Sequence, residues 1–168
     1  MRFFIETAVV IIFAITAIVL YQQYWDNIRY ALFGDETQYN LYIDTTAITV
    51  SVADNPEKRV LGLSGTPSLG ELEGKLFIYD TDAKHGIWMK DMLFPIDIIW
   101  IDKNLQIVHI AENVAPSTYP QVFLPQVDAR FVLEMNAFIV SSLKIQVGDR
   151  LTIPPSILPE DIRKNLQK

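Results

Sequence analysis

Cysteine is absent from the 168 residues, which excludes disulfides, thiolate nucleophiles and cysteine-ligated metal centres. Histidine occurs only twice, as His85 and His109. Zinc would therefore need both of them plus two acids gathered by the fold, so neither a metal nor a cofactor is expected. Basic residues are outnumbered, 14 Lys and Arg against 20 Asp and Glu, and the net charge of −6 comes with no basic run. A polyanion would be repelled, which removes nucleic acid from the expected partners. The seven glycines are scattered; Gly62, Gly65, Gly70 and Gly74 are not followed by the lysine and helix of a phosphate-cradling loop. Ser64, Ser68 and Ser117 lack the Gly-x-Ser-x-Gly elbow of a serine nucleophile.

Charge is scarcest at the start of the chain. From Phe3 to Leu20 only Glu6, Thr7 and Thr16 interrupt an apolar run, and about 20 such residues span a bilayer core as a helix. Tyr21, Tyr24 and Trp25 follow it, as amphipathic rings do at the headgroup level. A cleavable signal peptide would end in small residues, whereas this run continues into YQQYWDNIRYALF. The expectation is a single uncleaved transmembrane anchor over residues 1–33. The short amino-terminal tail favours an extracytoplasmic domain, a single-pass topology in which the membrane is itself a partner. A polar, acidic linker is expected over 34–44, a β domain over 45–155 and a weakly packed tail over 156–168.

What is abundant in the domain is β-branched alternation. TTAITVSVA predicts a half-buried strand. DNPEKRVLGL predicts a helix of about two turns, with Asp54 as cap, Glu57 as its capping-box partner, Pro56 in the first turn and Gly62 as terminator. Further strands are expected at 75–79, 86–89, 96–101, 105–111, 130–134 and 150–153. Asp102, Lys103 and Asn104 make a hairpin turn, and 136–143 reads as a short helix. Residues 113–127, with Pro116, Pro120 and Pro125, form a long loop that either covers a site or crosses the sheet end. The class is mainly β: a compact β-sandwich or barrel-like domain with short helices, preceded by the transmembrane helix.

The segment WMKDMLFPIDIIWID sets Lys90, Asp91 and Asp97 within an apolar run. Alternation puts Ile96, Ile98 and Trp100 on one face and Asp97, Ile99 and Ile101 on the other, so Asp97 is expected as a buried or half-buried acid between two apolar faces. A buried carboxylate must be hydrogen-bonded, paired or protonated. Glu134 repeats the pattern beside Val132, and a chain reversal before Pro95 would return Lys90 towards Asp97. Lys90, Asp97 and Glu134 are therefore expected to share one polar cluster. One reading makes it an ion-pair network that sets strand register. The other makes it a pocket for a small polar ligand such as a sugar or peptide end, flanked by His85, Trp88 and Asp91. Envelope polymers and envelope proteins are the wider partner classes. A hydrolase or transferase using the two acids and Lys90, and a purely structural envelope protein, are the alternatives.

The region from about Ile48 to Ile153 resembles the uncharacterised domain of unknown function 192 family. The resemblance rests on VSVADNPEKRVLGLS, GKLFIYD, WMKDMLFPIDIIWID, IVHIAENVAPSTYP, RFVLEM and VGDRLTI, in that order. It implies a compact, mainly β domain, often behind a membrane anchor, with Trp88, Lys90, Pro95, Asp97 and Glu134 as its marked positions and no assigned activity. Where members of the family carry glycine soon after the acid, this chain has Asn136, Ala137 and Phe138.

Overall fold

A computed structural model describes residues 11, 13–21, 23–24 and 37–166. The chain divides into two units, Met1–Glu36 and Thr37–Lys168. In the first, residues 13–21 are helical, but most of the expected anchor lies outside the described residues. Among the described residues no helix is long and apolar enough to cross a membrane.

The second unit is built on one curled seven-stranded sheet. Its strands are β1 (Tyr39–Ile43), β2 (Thr46–Ala53), β3 (Glu73–Ala83), β5 (Ile96–Ile101), β6 (Ile107–Val114), β8 (Ala129–Asn136) and β9 (Leu151–Thr152). They are ordered β6-β5-β8-β3-β2-β1-β9. Only β2 and β3 run parallel, joined through α1 (Pro56–Leu61) because a parallel pair needs a crossover. The sheet curls into a half-barrel that brings its two edges together: the Leu151 amide donates to the Leu105 carbonyl at 2.8 Å, and the Ile107 amide to the Asp149 carbonyl at 2.8 Å. A separate pair joins β4 (Ile87–Trp88) to β7 (Val122–Phe123).

Each strand face has its own core. The larger cluster holds Leu41, Ile48, Val50, Leu76, Ile99, Phe131, Leu133 and Met135, with Ile139 and Val140 of α2 (Ile139–Leu143). The smaller holds Phe77, Ile96, Ile98, Trp100 and Val132, with Leu63, Met89 and Met92. All six residues of β5 are buried, as double-sided coverage requires.

Three local expectations are corrected. The segment read as linker contains β1, whose Leu41 and Ile43 enter the larger core while Tyr42 faces out. The cap of α1 is Asn55 rather than Asp54: its side chain accepts from the Lys58 amide at 2.9 Å, and Asp54 instead pairs with the Lys58 ammonium at 3.1 Å. The tail does not pack weakly. Leu158 and Ile162 are buried in the larger core, and Asp161 of α3 (Glu160–Leu166) pairs with buried Arg130 at 2.6 Å. Two apolar residues in a polar segment, plus one acid placed for Arg130, suffice to dock it. The position after the acid that carries no glycine also has a structural signature: Phe138 is left-handed, with φ of 70°, and exposed.

Candidate functional site

The two marked acids lie on opposite faces of the sheet. In the antiparallel pairing of β5 with β8, Asp97 stands opposite Met135 and Ile98 opposite Glu134. Paired residues share a face and neighbours alternate, so Asp97 points to the larger core and Glu134 to the smaller. Lys90 joins neither: it is exposed, as is Asp91. These two contribute backbone instead, the Lys90 carbonyl accepting from Ser64 Oγ at 2.8 Å and the Asp91 carbonyl from the Gly65 amide at 2.9 Å. The expected Lys90, Asp97 and Glu134 cluster is therefore not assembled, because the chain between Met89 and Pro95 turns at the surface, with Asp91 left-handed.

Asp97 is fully buried, and each of its oxygens has a backbone partner. Its Oδ1 accepts from the Asn113 amide at 2.8 Å and its Oδ2 from the Val140 amide at 2.9 Å. The carboxylate thus ties β5 to the left-handed Asn113 at the end of β6 and to the start of α2.

Glu134 differs. Its Oε2 is the one buried side-chain polar atom among the described residues that has no hydrogen-bond partner. The cation opposite it is Lys75, its register partner on β3 and itself buried. Burial pushes the Glu134 carboxyl up to about 8, with Lys75 pulling the other way. Desolvation wins, so near neutral pH the group is mostly a neutral acid that can donate as well as accept.

Glu134 lines a cavity of about 50 Å³ together with Phe77, Tyr79, Trp88, Met92 and Arg59. Alternation along β3 delivers Phe77 and Tyr79 to the same face as Lys75, and α1 supplies Arg59 above them. The Tyr79 ring carries the Arg59 guanidinium 5.3 Å from its centroid on one contact and the His85 ring stacked at 3.5 Å on another. Burial and the nearby Glu134 push the Tyr79 hydroxyl up to about 12, against Arg59. Burial holds His85 below its ordinary value; its Nε2 lies 2.9 Å from the Thr81 carbonyl and its own carbonyl accepts from Trp100 Nε1 at 2.8 Å. Trp88 forms the rim. It is about half exposed and edge-on to Tyr119 of the long loop, with centroids 6.0 Å apart. That loop crosses beside the cavity mouth and pairs β7 with β4, setting Val122 opposite Trp88.

Of the six residues singled out in sequence, the structure thus brings Trp88 and Glu134 to one cavity and holds His85 one ring away. Lys90, Asp91 and Asp97 stand elsewhere. Lys75, Tyr79 and Arg59 were missed. The signal for Lys75 was present in GKLFIYD, where a lysine shares strand parity with Phe77 and Tyr79. Chemically, the cavity has several times the space one water needs. It can admit a single polar functional group to Glu134 while the rest of a ligand lies against Trp88.

A family model for domain of unknown function 192, described as an uncharacterized ACR, matches residues 40–153. A UPF0127 protein of Pyrococcus furiosus is 28% identical over 109 residues, covering 62% of this chain and 85% of its own. Another from Thermococcus sibiricus is 26% identical over 102 residues, covering 61% of this chain and 64% of its own. The crystal structure of a candidate transcription regulator from Sinorhizobium meliloti superposes with a TM-score of 0.64 at 28% identity, covering 68% of this chain and 90% of that one. A protein of unknown function from Novosphingobium aromaticivorans has a TM-score of 0.62 over 69% of this chain and 84% of its own; at 22% identity it speaks for the fold alone. With the family's motifs matched through most of the half-barrel, this chain belongs to the uncharacterised domain of unknown function 192 family.

Proposed function

We infer that this protein is a binding module whose β domain takes a small neutral polar group, such as a sugar hydroxyl or a peptide amide, into the Glu134 cavity. The observation that carries this reading is the unpartnered Oε2 of a buried carboxyl held beside Tyr79 and half-exposed Trp88. Leaving a buried acceptor unmade costs about 1–3 kcal/mol, a cost that a bound ligand removes. The ligand's apolar face would lie on Trp88, since aromatic rings join an apolar body to a polar rim. Its hydroxyl or amide would exchange hydrogen bonds with the neutral Glu134 carboxyl. Two positive side chains, Arg59 and Lys75, already stand near, which favours a neutral group over an ammonium.

The apolar run from Phe3 to Leu20 supports anchorage of this domain to a membrane, with the domain on the outer side. Carbonate extraction of membranes carrying the full chain tests the anchorage; release into the soluble fraction would defeat it. The Sinorhizobium protein is described as a candidate transcription regulator; for this chain, direct contact with nucleic acid is disfavoured by the net charge of −6.

The binding test is a thermal-shift screen of the full chain against envelope sugars and short peptides, with Glu134→Gln and Trp88→Ala alongside, since ligand that binds only the native state raises apparent stability. Lys90→Met, whose exposed side chain is not among the cavity's lining residues, is the control. A shift seen in wild type and control but lost in the other two supports the reading. A shift retained by Glu134→Gln and Trp88→Ala places binding elsewhere.

A further inference from the structure

A second cavity, unrelated to Glu134, lies at the end of the half-barrel where the C-terminal helix docks. Its volume is about 400 Å³, within the range of small-molecule pockets. Its walls are mainly aliphatic, formed by Leu105, Leu151, Ile153 and Leu158, and its two charged residues are Arg150 and Arg163. Neither arginine makes an ion pair among the described residues. Among the described residues no acid lines the cavity, although acids outnumber bases in the chain by 20 to 14. Both walls are held in place. Arg150 sits in the bridge with Gln106 that closes the half-barrel, and α3, which carries Arg163, is clamped by buried Ile162 and by the Asp161 pair with Arg130.

We propose that this cavity binds a single-chain amphiphile with a carboxylate head, the alkyl chain lying along the leucine and isoleucine wall and the head taken by Arg150 and Arg163. The charge fits, because a guanidinium fork matches a carboxylate, and among the described residues neither arginine has an ion-pair partner and no acid lines the cavity. The shape fits as well: an apolar surface larger than a bare anion needs would be idle for a purely ionic ligand, and a neutral alkane would have no use for two guanidiniums.

The full-length chain in a mild uncharged detergent is titrated calorimetrically with decanoate, decanol and acetate, and the titrations are repeated on Arg150→Gln/Arg163→Gln and on Leu166→Glu. The last places an acid at a half-exposed cavity residue and keeps both arginines, so it remains informative if the double variant folds poorly. Detergent partitioning is common to all three chains and cancels in the comparison. Saturable decanoate binding at least about tenfold tighter in wild type than in either variant, with decanol indifferent to the substitutions and acetate unbound, is the expected result. Equal decanoate affinity in all three chains overturns the proposal. So does acetate binding as tightly as decanoate, which would make the site one for a bare anion.

Discussion

Asp97 and Glu134 are two buried acids on adjacent, directly hydrogen-bonded strands, and they have opposite fates. Asp97 spends both oxygens on backbone amides, so both are satisfied by the protein itself, as buried polar groups usually are. Glu134 has an oxygen with no partner and a carboxyl raised to about 8 by burial. Burial alone therefore does not mark a ligand site; unused hydrogen-bonding capacity facing a cavity does. The first acid belongs to the architecture of the β5, β6 and α2 junction, the second to the candidate site.

The sharpest way to break this comparison is pH. Because the folded-state value of Glu134 lies above its ordinary 4.5, the folded chain holds a proton that the unfolded chain has released between those values. Stability from this group is full below pH 4.5, falls as pH rises and levels off above about 8. The loss across that window is at most about 5 kcal/mol. Glu134→Gln should flatten this slope and be the more stable chain above pH 8, as measured by urea melts from pH 5 to 9. An unchanged slope would mean that Glu134 is not the titrating group.

Asp97→Ala should act in the opposite sense. It leaves two amides unpartnered in the core, at about 1–3 kcal/mol each, so a loss of about 4 kcal/mol at pH 7 is expected from equilibrium unfolding, with Asp97→Asn losing less. A neutral outcome at Asp97 would erase the distinction between the two acids. A smaller effect, of opposite sign, is expected at Phe138. Its side chain is exposed and its backbone left-handed, so Phe138→Gly should relieve strain and stabilise by about 0.5–1 kcal/mol in the same melts, after the entropy that glycine adds to the unfolded chain. Smallest of all, Lys90→Met should move the melting midpoint by an amount equivalent to less than about 0.5 kcal/mol, since surface changes without special contacts rarely do more. A large loss there would restore the paired role that the exposed position of Lys90 denies it.

Much of the scaffold was legible because it follows from local periodicity. Alternation predicted β2 and β5 closely and marked both faces of β5 as apolar apart from Asp97, all six residues being buried in the structure. The Asp102 turn was likewise readable, since a side chain that accepts from the Asn104 and Gln106 amides is a local device. β1 was missed because YNLYI carries only two inward residues between polar neighbours, a pattern indistinguishable from linker until β2 and β9 supply partners. The candidate site was half legible. Trp88 and Glu134 were marked by their residue type in apolar surroundings, while Arg59 and Tyr79 were not, since an arginine on a short helix and a tyrosine in a strand are ordinary.

The sequence by itself determined which residues alternate within each strand, where the chain must turn, that two acids stand within apolar strand patterns, and that the first segment is apolar enough to be considered for a membrane. Which acid meets which partner was decided only by tertiary structure. Parity within β5 and within β8 is local, but the pairing of Asp97 with Met135 rather than Glu134 is a register between distant strands, and a shift of one residue would have put both acids on the same face. The pairing of Lys75 with Glu134 has the same origin. It arises because the chain returns β8 between β3 and β5, a placement that comes from packing two cores on one sheet and from no signal in the residues around either acid.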